Sequence, residues 1–344
     1  MARHSREESG SGQENYRTDA ILISIVVPTR GRPDLLNRCL AALVLQEFNA
    51  ACFEIIVVDD GPSHATREVA GNWAEHAGRS GPAITYIASA GPHGPAAARN
   101  RGWRAARGSI VAFTDDDTVA RADWLKKGMA AFEDDSTQAA WGRIVMPLHH
   151  VPTDYELDAK GLETAVFVTA NCFCRKATLE YLGGFDEQFR FAWREDADLY
   201  FRLLRANAEI EHVPAAVIVH PIRPARWGIS LSQQKKVLFD ALLFKKHPEL
   251  YRQKIRARPR WDYYLIVLAL LACALGLAAG MFALAAAAGA LWLVLTMRFC
   301  IMRLHATAKT PSHIGEMIVT SVLIPPLAVF WRVAGALKFR TPFI

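Results

Sequence analysis

Between Tyr263 and Met297 the chain runs for 35 positions without a charged residue. Nothing else in the sequence narrows the possible folds as much. One bilayer span takes about 20 residues, so the run is too long for one and suits a tight hairpin of two short ones. Globular helices rarely exceed about 25 residues without polar breaks, which argues against a single buried helix of a soluble protein. Gly276, Gly280 and Gly289 suit a turn near Ala278–Met281 and close packing of the two helices. A second apolar stretch, Met317–Phe330, contains Pro325-Pro326, which would break a simple span. It is compatible with a kinked third helix or with an interfacial or re-entrant segment.

Charge gives the apolar region an orientation. The chain is +6 overall, but residues 252–344 hold 11 Lys and Arg against 2 Asp and Glu, leaving residues 1–251 at −3. The cluster RQKIRARPR (252–260) precedes the first apolar run, and Arg298, Arg303 and Lys309 follow it. Basic flanks on both sides place both ends of a hairpin in the cytoplasm. Arg332, Lys338 and Arg340 favour the same side for the end of the last stretch. A juxtamembrane basic patch suits anionic lipid heads, so no nucleic-acid partner is expected. The expectation is a multi-pass protein of the inner (plasma) membrane with a cytoplasmic soluble domain.

The polar segment at 1–20 reads as a disordered leader without a signal peptide. The six cysteines form no CxxC pair with metal spacing, and Cys172 and Cys174 alternate along an apparent strand as core residues would. The expected organisation is a leader at 1–20, one α/β domain at 21–250, a basic linker at 251–262 and a membrane region at 263–344. That last region comprises the hairpin 263–297 and a third apolar segment at 314–337.

Strand and helix patterns alternate through the first part of the soluble region. ILISIVVPT (21–29), FEIIVVDDG (53–61), AITYIAS (83–89) and SIVAFTDD (109–116) read as strands. Helical periods occupy 33–46, 65–77 and the Gly/Pro-led segment 91–108. This alternation predicts a parallel sheet with helices on both faces. From 123 to 250 the pattern is less regular: a helix at 123–133, strand-like runs at 140–146 and 164–174, a helix at 195–206 and a strand at 210–219, all within the same domain. Ligands of such sheets bind beyond the carboxyl ends of the strands. Thr29, Arg30, Asp59, Asp60, Asp115, Asp116 and Asp117 all fall there.

Two strands end in adjacent acids, and no G-x-G-x-x-G or G-K-[ST] loop is present to cradle phosphates. A nucleotide diphosphate would need other neutralisation, and a D-x-D pair can hold a divalent cation that bridges two phosphates. Asp115 and Asp117 have that spacing, with Asp116 between them. Asp59 and Asp60 end the neighbouring strand, where an acid can accept hydrogen bonds from a base or ribose. Arg99 lies in the first turns of the helix opened by Pro95, placed for phosphate or for the strand-end acids. Arg101, Arg104 and Arg107 read as a solvated face.

Glu195, Asp196 and Asp198 precede an apolar-periodic helix. They suit the helix dipole, and one of them suits a general base toward an acceptor hydroxyl. Trp193 offers a flat surface to a sugar or lipid head, or packs beneath the helix start. His220 ends a strand, either as a hydrogen-bonded structural residue or as a further metal ligand.

The segments SIVVPTRGRPDLLNRCLAAL, EIIVVDDG, GPAAARNRG, IVAFTDDDT, LGGFDEQF and WREDADLYFRLLRAN occur in the order and approximate spacing of family-2 glycosyltransferases. The chain resembles that family over roughly 22–220. The resemblance implies the GT-A fold, a Rossmann-like α/β domain, here followed by transmembrane helices. It implies inverting transfer of a sugar from a nucleotide-diphosphate donor with Mn2+ or Mg2+. By motif, Pro28, Thr29 and Arg30 would line the nucleotide pocket, one of Asp59 and Asp60 would face the base or ribose, and Arg99 would support that site. Asp115 and Asp117 match the metal-binding D-x-D, and Asp196 matches the acid that looks like the general base. An acid at the middle D-x-D position, and Pro62, Ser63 and His64 where Ser-x-Asp is common, depart from the pattern. The Q-x-x-R-W stretch of processive synthases is missing, which favours single-sugar transfer. The implied acceptor is a lipid-linked saccharide or polyprenyl phosphate. The rivals are a nucleotidyltransferase, for which PTRGRPD is a faint loop, and a membrane-anchored binding protein on the same scaffold.

Overall fold

Every residue of β1 (Ile23–Thr29) is buried. The next two elements are α1 (Pro33–Val44) and β2 (Phe53–Asp59), and β2 is buried throughout as well. Burial on both faces explains why these strands read as continuous apolar runs. The structure, a computed structural model, describes residues 20–343, so the leader expected at 1–20 lies outside the described residues except for Ala20. α2 (His64–Ala77), β3 (Ala83–Ala88), α3 (Pro95–Ala105) and β4 (Ile110–Phe113) complete the alternating half. β1 pairs in parallel with β2 and β4, and β2 with β3. Helix α3 approaches β1 so closely that a Cβ on Gly102 would stand 2.2 Å from Val26 Cγ1.

The parallel pattern stops at β4. The chain continues through β5 (Val119–Ala120), α4 (Trp124–Ala130), β6 (Thr137–Val145), α5 (Asp154–Ala159) and β7 (Cys172–Arg175). α6 (Lys176–Leu182), α7 (Glu195–Arg205) and β8 (Glu209–Val219) follow. All strands join one eight-stranded sheet of order β3-β2-β1-β4-β7-β6-β8-β5. β7 runs antiparallel to both β4 and β6, and β5 antiparallel to β8, so the sheet is mixed where a parallel one was expected. A parallel neighbour needs a long crossover, usually a helix, and that regular alternation is lost beyond β4. The strand expected at 164–174 shortens to β7, because Phe167 adopts φ +56 and leaves the ladder to stack on Tyr200. Cys172 and Cys174 are free, buried and in one apolar cluster.

Three short helices, α8 (Ile229–Gln233), α9 (Val237–Lys246) and α10 (Pro248–Lys254), lead to α11 (Trp261–Ala278), α12 (Phe282–Leu304) and α13 (Pro311–Phe339). The last three are long and apolar enough to cross a membrane. The uncharged turn between α11 and α12 uses Gly280 at φ +71. Gly276 lets the two helices meet, since a Cβ there would stand 3.1 Å from Ala285 N. α13 runs unbroken through Pro325 and Pro326; neighbouring helices can compensate for the backbone bonds that such prolines remove.

The apolar helices are also tied to the α/β domain. Arg303 of α12 pairs with Asp154 of α5 (2.6 Å) and donates to Thr320 Oγ1 of α13 (2.7 Å). Phe339 and Phe343 join an apolar cluster with Phe239 and Leu243 of α9.

Candidate active site

The register of β1, β2 and β4 gathers the polar groups at one edge. Thr29 lies opposite Asp59, and Asp60 N–H donates to the Thr29 carbonyl (2.8 Å). Thr114 N–H donates to the Val26 carbonyl (3.3 Å), which carries Asp115–Asp117 out beside the end of β1. Pro28 and Thr29 are buried and Arg30 is exposed.

The three consecutive aspartates have different sets of partners, with Arg32 shared between Asp116 and Asp117. Asp115 accepts from Arg99 Nη2 (2.8 Å). Asp116 is fully buried, accepting from Thr29 Oγ1 (2.7 Å) and pairing with Arg32 Nη2 (2.7 Å). Asp117 pairs with Arg223 Nε (3.0 Å), and lies 3.6 Å from both Arg32 Nη1 and His220 Nε2. Burial pushes Asp116 up to about 6. Burial works in the same direction on Asp115, but the Arg99 guanidinium and His220 overcome it and hold that carboxyl below its ordinary value.

Asp115, Asp117 and His220 each offer one ligand atom, and the three atoms lie within 4.8 Å of one another. Two carboxylates and an imidazole suit a divalent transition metal. His220 Nε2 stands 3.6 Å from Asp117 Oδ1, and the Nδ1 of the same ring is buried without a hydrogen-bond partner. The donor set fits Mn2+, whereas Mg2+ favours an all-oxygen shell.

Arg99 links this cluster to α7. It is 3% exposed, and its Nη1 donates to Glu195 Oε1 (3.0 Å) while Nη2 holds Asp115. The carboxylates at the start of α7 thereby separate. Glu195 is buried against Arg99, and burial together with Asp196 raises it to about 7. Asp198 is buried against Arg202 (2.9 Å), Lys246 (2.5 Å) and His247 (3.1 Å). Asp196 is half-buried and forms no ion pair among the described residues; its Oδ1 accepts from Ala197 N–H (2.7 Å). Burial raises its pKa above the ordinary carboxylate value.

The other site candidates are distributed as follows. Asp59 accepts from Gly61 N–H (3.0 Å), Ser63 N–H (3.2 Å) and Tyr86 Oη (3.0 Å), so it braces its own loop. Asp60 accepts from Gly94 N–H (3.0 Å) and meets Arg30 (3.4 Å) and His93 (3.2 Å). Trp193 Nε1 donates to Asp240 (3.0 Å), and Arg194 stacks 4.4 Å from its ring centroid, so the indole is packed beneath the helix start. Among the basic residues read as a solvated face, Arg107 lies beyond the end of α3 and holds buried Glu54 (2.7 Å), while Arg101 donates to the Pro92 carbonyl (2.9 Å). The sequence reading passed over Arg32 and Arg223. Their signal was position alone: Arg32 follows the end of β1 at Thr29, and Arg223 follows His220 at the end of β8.

The arrangement defines an α/β nucleotide-diphospho-sugar transferase fold of the GT-A type, with acids gathered at the strand ends. The sequence profile of Glycosyl transferase family 2 matches residues 24–183, and that of Glycosyl transferase family group 2 matches residues 110–332. The chain belongs to glycosyltransferase family 2. It is 28% identical over 237 residues to the pre-mycofactocin glycosyltransferase of Mycobacterium tuberculosis, a match covering 64% of this chain and 45% of that protein. It is 22% identical over 226 residues to glycosyltransferase AglE of Haloferax volcanii, covering 62% of this chain and 71% of that one. The chain thus spans less than half the length of the mycobacterial relative. Its fold is shared with a mannosyltransferase of Pyrobaculum calidifontis solved in complex with GDP-Man and Mn2+. That likeness has a TM-score of 0.59 at 19% identity, and covers 93% of this chain and 87% of that one.

Proposed function

We propose that the protein is an inverting glycosyltransferase that moves a sugar from a nucleotide-diphosphate donor to an acceptor hydroxyl in cell-envelope or polysaccharide synthesis. The acceptor is a lipid-linked saccharide or polyprenyl phosphate. One observation carries the catalytic assignment: Asp196 is the carboxylate at the start of α7 that no cation holds, whereas Glu195 and Asp198 are paired. A base must have an oxygen free for the acceptor proton and a pKa drawn toward neutrality, and Asp196 meets both conditions.

In this reading Asp196 takes the proton of the acceptor hydroxyl as that oxygen attacks the anomeric carbon. Asp60, Arg30 and Thr29 border the nucleotide, and Arg99 keeps Asp115 ionised and in place. Asp115, Asp117 and His220 would hold the divalent cation, which when bound supplies charge to the departing diphosphate. The three apolar helices hold the domain at the inner face of the plasma membrane. The basic residues at the hairpin ends, Arg260, Arg298 and Arg303, support a cytoplasmic orientation.

The test is a donor screen on detergent-solubilised protein, following nucleotide diphosphate release from UDP-, GDP- and TDP-sugars with Mn2+ or with chelator. Asp196→Asn should lose turnover by at least about a hundredfold, within the range of a general-base contribution, while binding the donor nucleotide normally. Loss of nucleotide binding in that variant would remove Asp196 from the base role.

A further inference from the structure

A cavity of about 730 Å3 opens beside the acidic cluster, lined by Tyr155, Arg223, Arg226, Trp227 and Lys236 among others. Three of the lining residues are cations, and among the described residues none is Asp or Glu. Arg223 pairs with Asp117 (3.0 Å), whereas Arg226 and Lys236 form no ion pair among the described residues. Burial lowers the Lys236 ammonium from its ordinary value, so an arriving anion would relieve an existing cost. The volume lies within the range of small-ligand sites, roughly 300–1,000 Å3.

The location bears on which ligand brings the anion. On one side the cavity reaches the metal-site acids through Arg223. On another, Lys236 Nζ stands 5.3 Å from the ring of Trp193, close to the α7 start that carries Asp196. Its floor is fastened to α13: Trp227 Nε1 donates to the Ser312 carbonyl (3.4 Å), and Gly228 N–H to Glu316 Oε1 (2.7 Å). Trp227 remains 54% exposed at the foot of a helix apolar enough to span a membrane. Exposed tryptophan and unpaired cations at such a boundary suit a lipid with a charged head.

We propose that this cavity holds the phosphate of the acceptor, a phosphate group carried on a long-chain lipid; the assignment rests on the transferase reading above. The donor diphosphate belongs instead at Asp115 and Asp117, where a cation would bridge it. Arg226 and Lys236 bind the lipid phosphate through charge-assisted hydrogen bonds. The lipid chain leaves past Trp227 along α13.

The experiment uses the full chain in detergent, with farnesyl phosphate, the uncharged alcohol farnesol, and UDP or GDP with Mn2+ as probes in calorimetry. Arg226→Gln and Lys236→Gln should each weaken farnesyl phosphate about tenfold, the loss of one charge-assisted hydrogen bond. Lys236→Arg should retain most of the affinity. Farnesol should bind weakly and equally to all variants, and nucleoside diphosphate affinity should not move. Both side chains lack ion-pair partners among the described residues, and an unchanged Tm would show that the variants fold. The assignment is overturned if farnesyl phosphate binds no better than farnesol, or if neither Gln variant weakens it. Loss of nucleoside diphosphate binding in place of farnesyl phosphate would also overturn it, since the anion held would then be the donor's. Failure of the unaltered protein to bind any nucleoside diphosphate would sink the transferase reading itself, and this assignment with it.

Discussion

Replacing Arg99 with methionine tests how the site tolerates its own acids. Arg99 lies 2.8 Å from Asp115 and 3.0 Å from Glu195, and is 3% exposed. At an effective dielectric near 20, each attraction amounts to about 6 kcal/mol, much of it offset by the burial of the charges. Removing one member of a buried pair costs roughly 3–5 kcal/mol, because its partners stay behind uncompensated. Glu195 softens the loss by taking a proton, having already been raised to about 7 by burial and Asp196. A carboxyl raised in the folded state adds stability below its unfolded pKa and loses it as pH rises through the folded value. Without Arg99 that folded value climbs further, so the variant keeps losing stability above pH 7 after the unaltered protein has levelled off. Thermal unfolding in detergent with chelator should show a Tm lower by about 4–6 °C near pH 7, taking about 3 kcal/mol as the loss. The gap should widen from pH 6.5 to 8.5. A shift under about 2 °C, or a gap that does not change with pH, would refute the account of Arg99 as the fixed counter-charge.

Two further outcomes follow from the same geometry. Burial opposes the Asp198 carboxylate, but His247, Arg202 and Lys246 overcome it and hold it at about 2, below its ordinary 3.8. A depressed carboxylate stabilises above its unfolded pKa and loses that contribution as pH falls toward the folded value. Asp198→Asn should therefore cost roughly 2 kcal/mol at pH 7 and little near pH 2, read from Tm against pH. Asp115→Asn, Asp117→Asn and His220→Ala should each weaken Mn2+ binding by about tenfold or more, followed by the electron paramagnetic resonance signal of free Mn2+. Unchanged affinity in any one of them removes that residue from the ligand set.

The strand ends were legible because strands buried on both faces read as unbroken apolar runs, and the acids that end them stand out against that background. The hairpin was legible for a similar reason, a charge-free length fixed by bilayer thickness. The direction of each acid was not. Asp59 and Asp60 are adjacent in sequence, yet one braces Gly61 and Ser63 while the other faces Arg30 and His93. As helix-start acids Glu195, Asp196 and Asp198 are alike in pattern, and the family motif alone singled out Asp196; what the sequence did not show is that Arg99, from a helix 96 positions earlier, holds Glu195. Phe167 looked like part of a strand because it is apolar, but its burial is satisfied by Tyr200 without a ladder. Partners fixed by tertiary packing leave no periodic signal in the chain.

Three adjacent aspartates remain compatible with folding because they do not share one environment. Asp116 points inward to Thr29 and Arg32, joining the ends of β1 and β4, while Asp115 and Asp117 keep atoms near His220. The two outer acids differ in how firmly they are held. Asp115 has the buried guanidinium of Arg99, whereas the Arg223 side chain on Asp117 is 51% exposed and sits in the loop after β8. Asp117 is itself buried, but its arginine partner is half-exposed to screening water, which holds the pair to about 1 kcal/mol, too little to compete with a divalent cation for the same carboxylate. On the proposed reading Arg223 is the counter-charge that a metal held by Asp117 would displace, and Arg99 the one that would stay. Arg223→Gln should leave Mn2+ affinity unchanged or raise it up to about fivefold, the equivalent of that pair energy. A clear loss of Mn2+ affinity in Arg223→Gln would mean that Arg223 positions Asp117 as a ligand, and the division between fixed and displaceable guanidinium would fail.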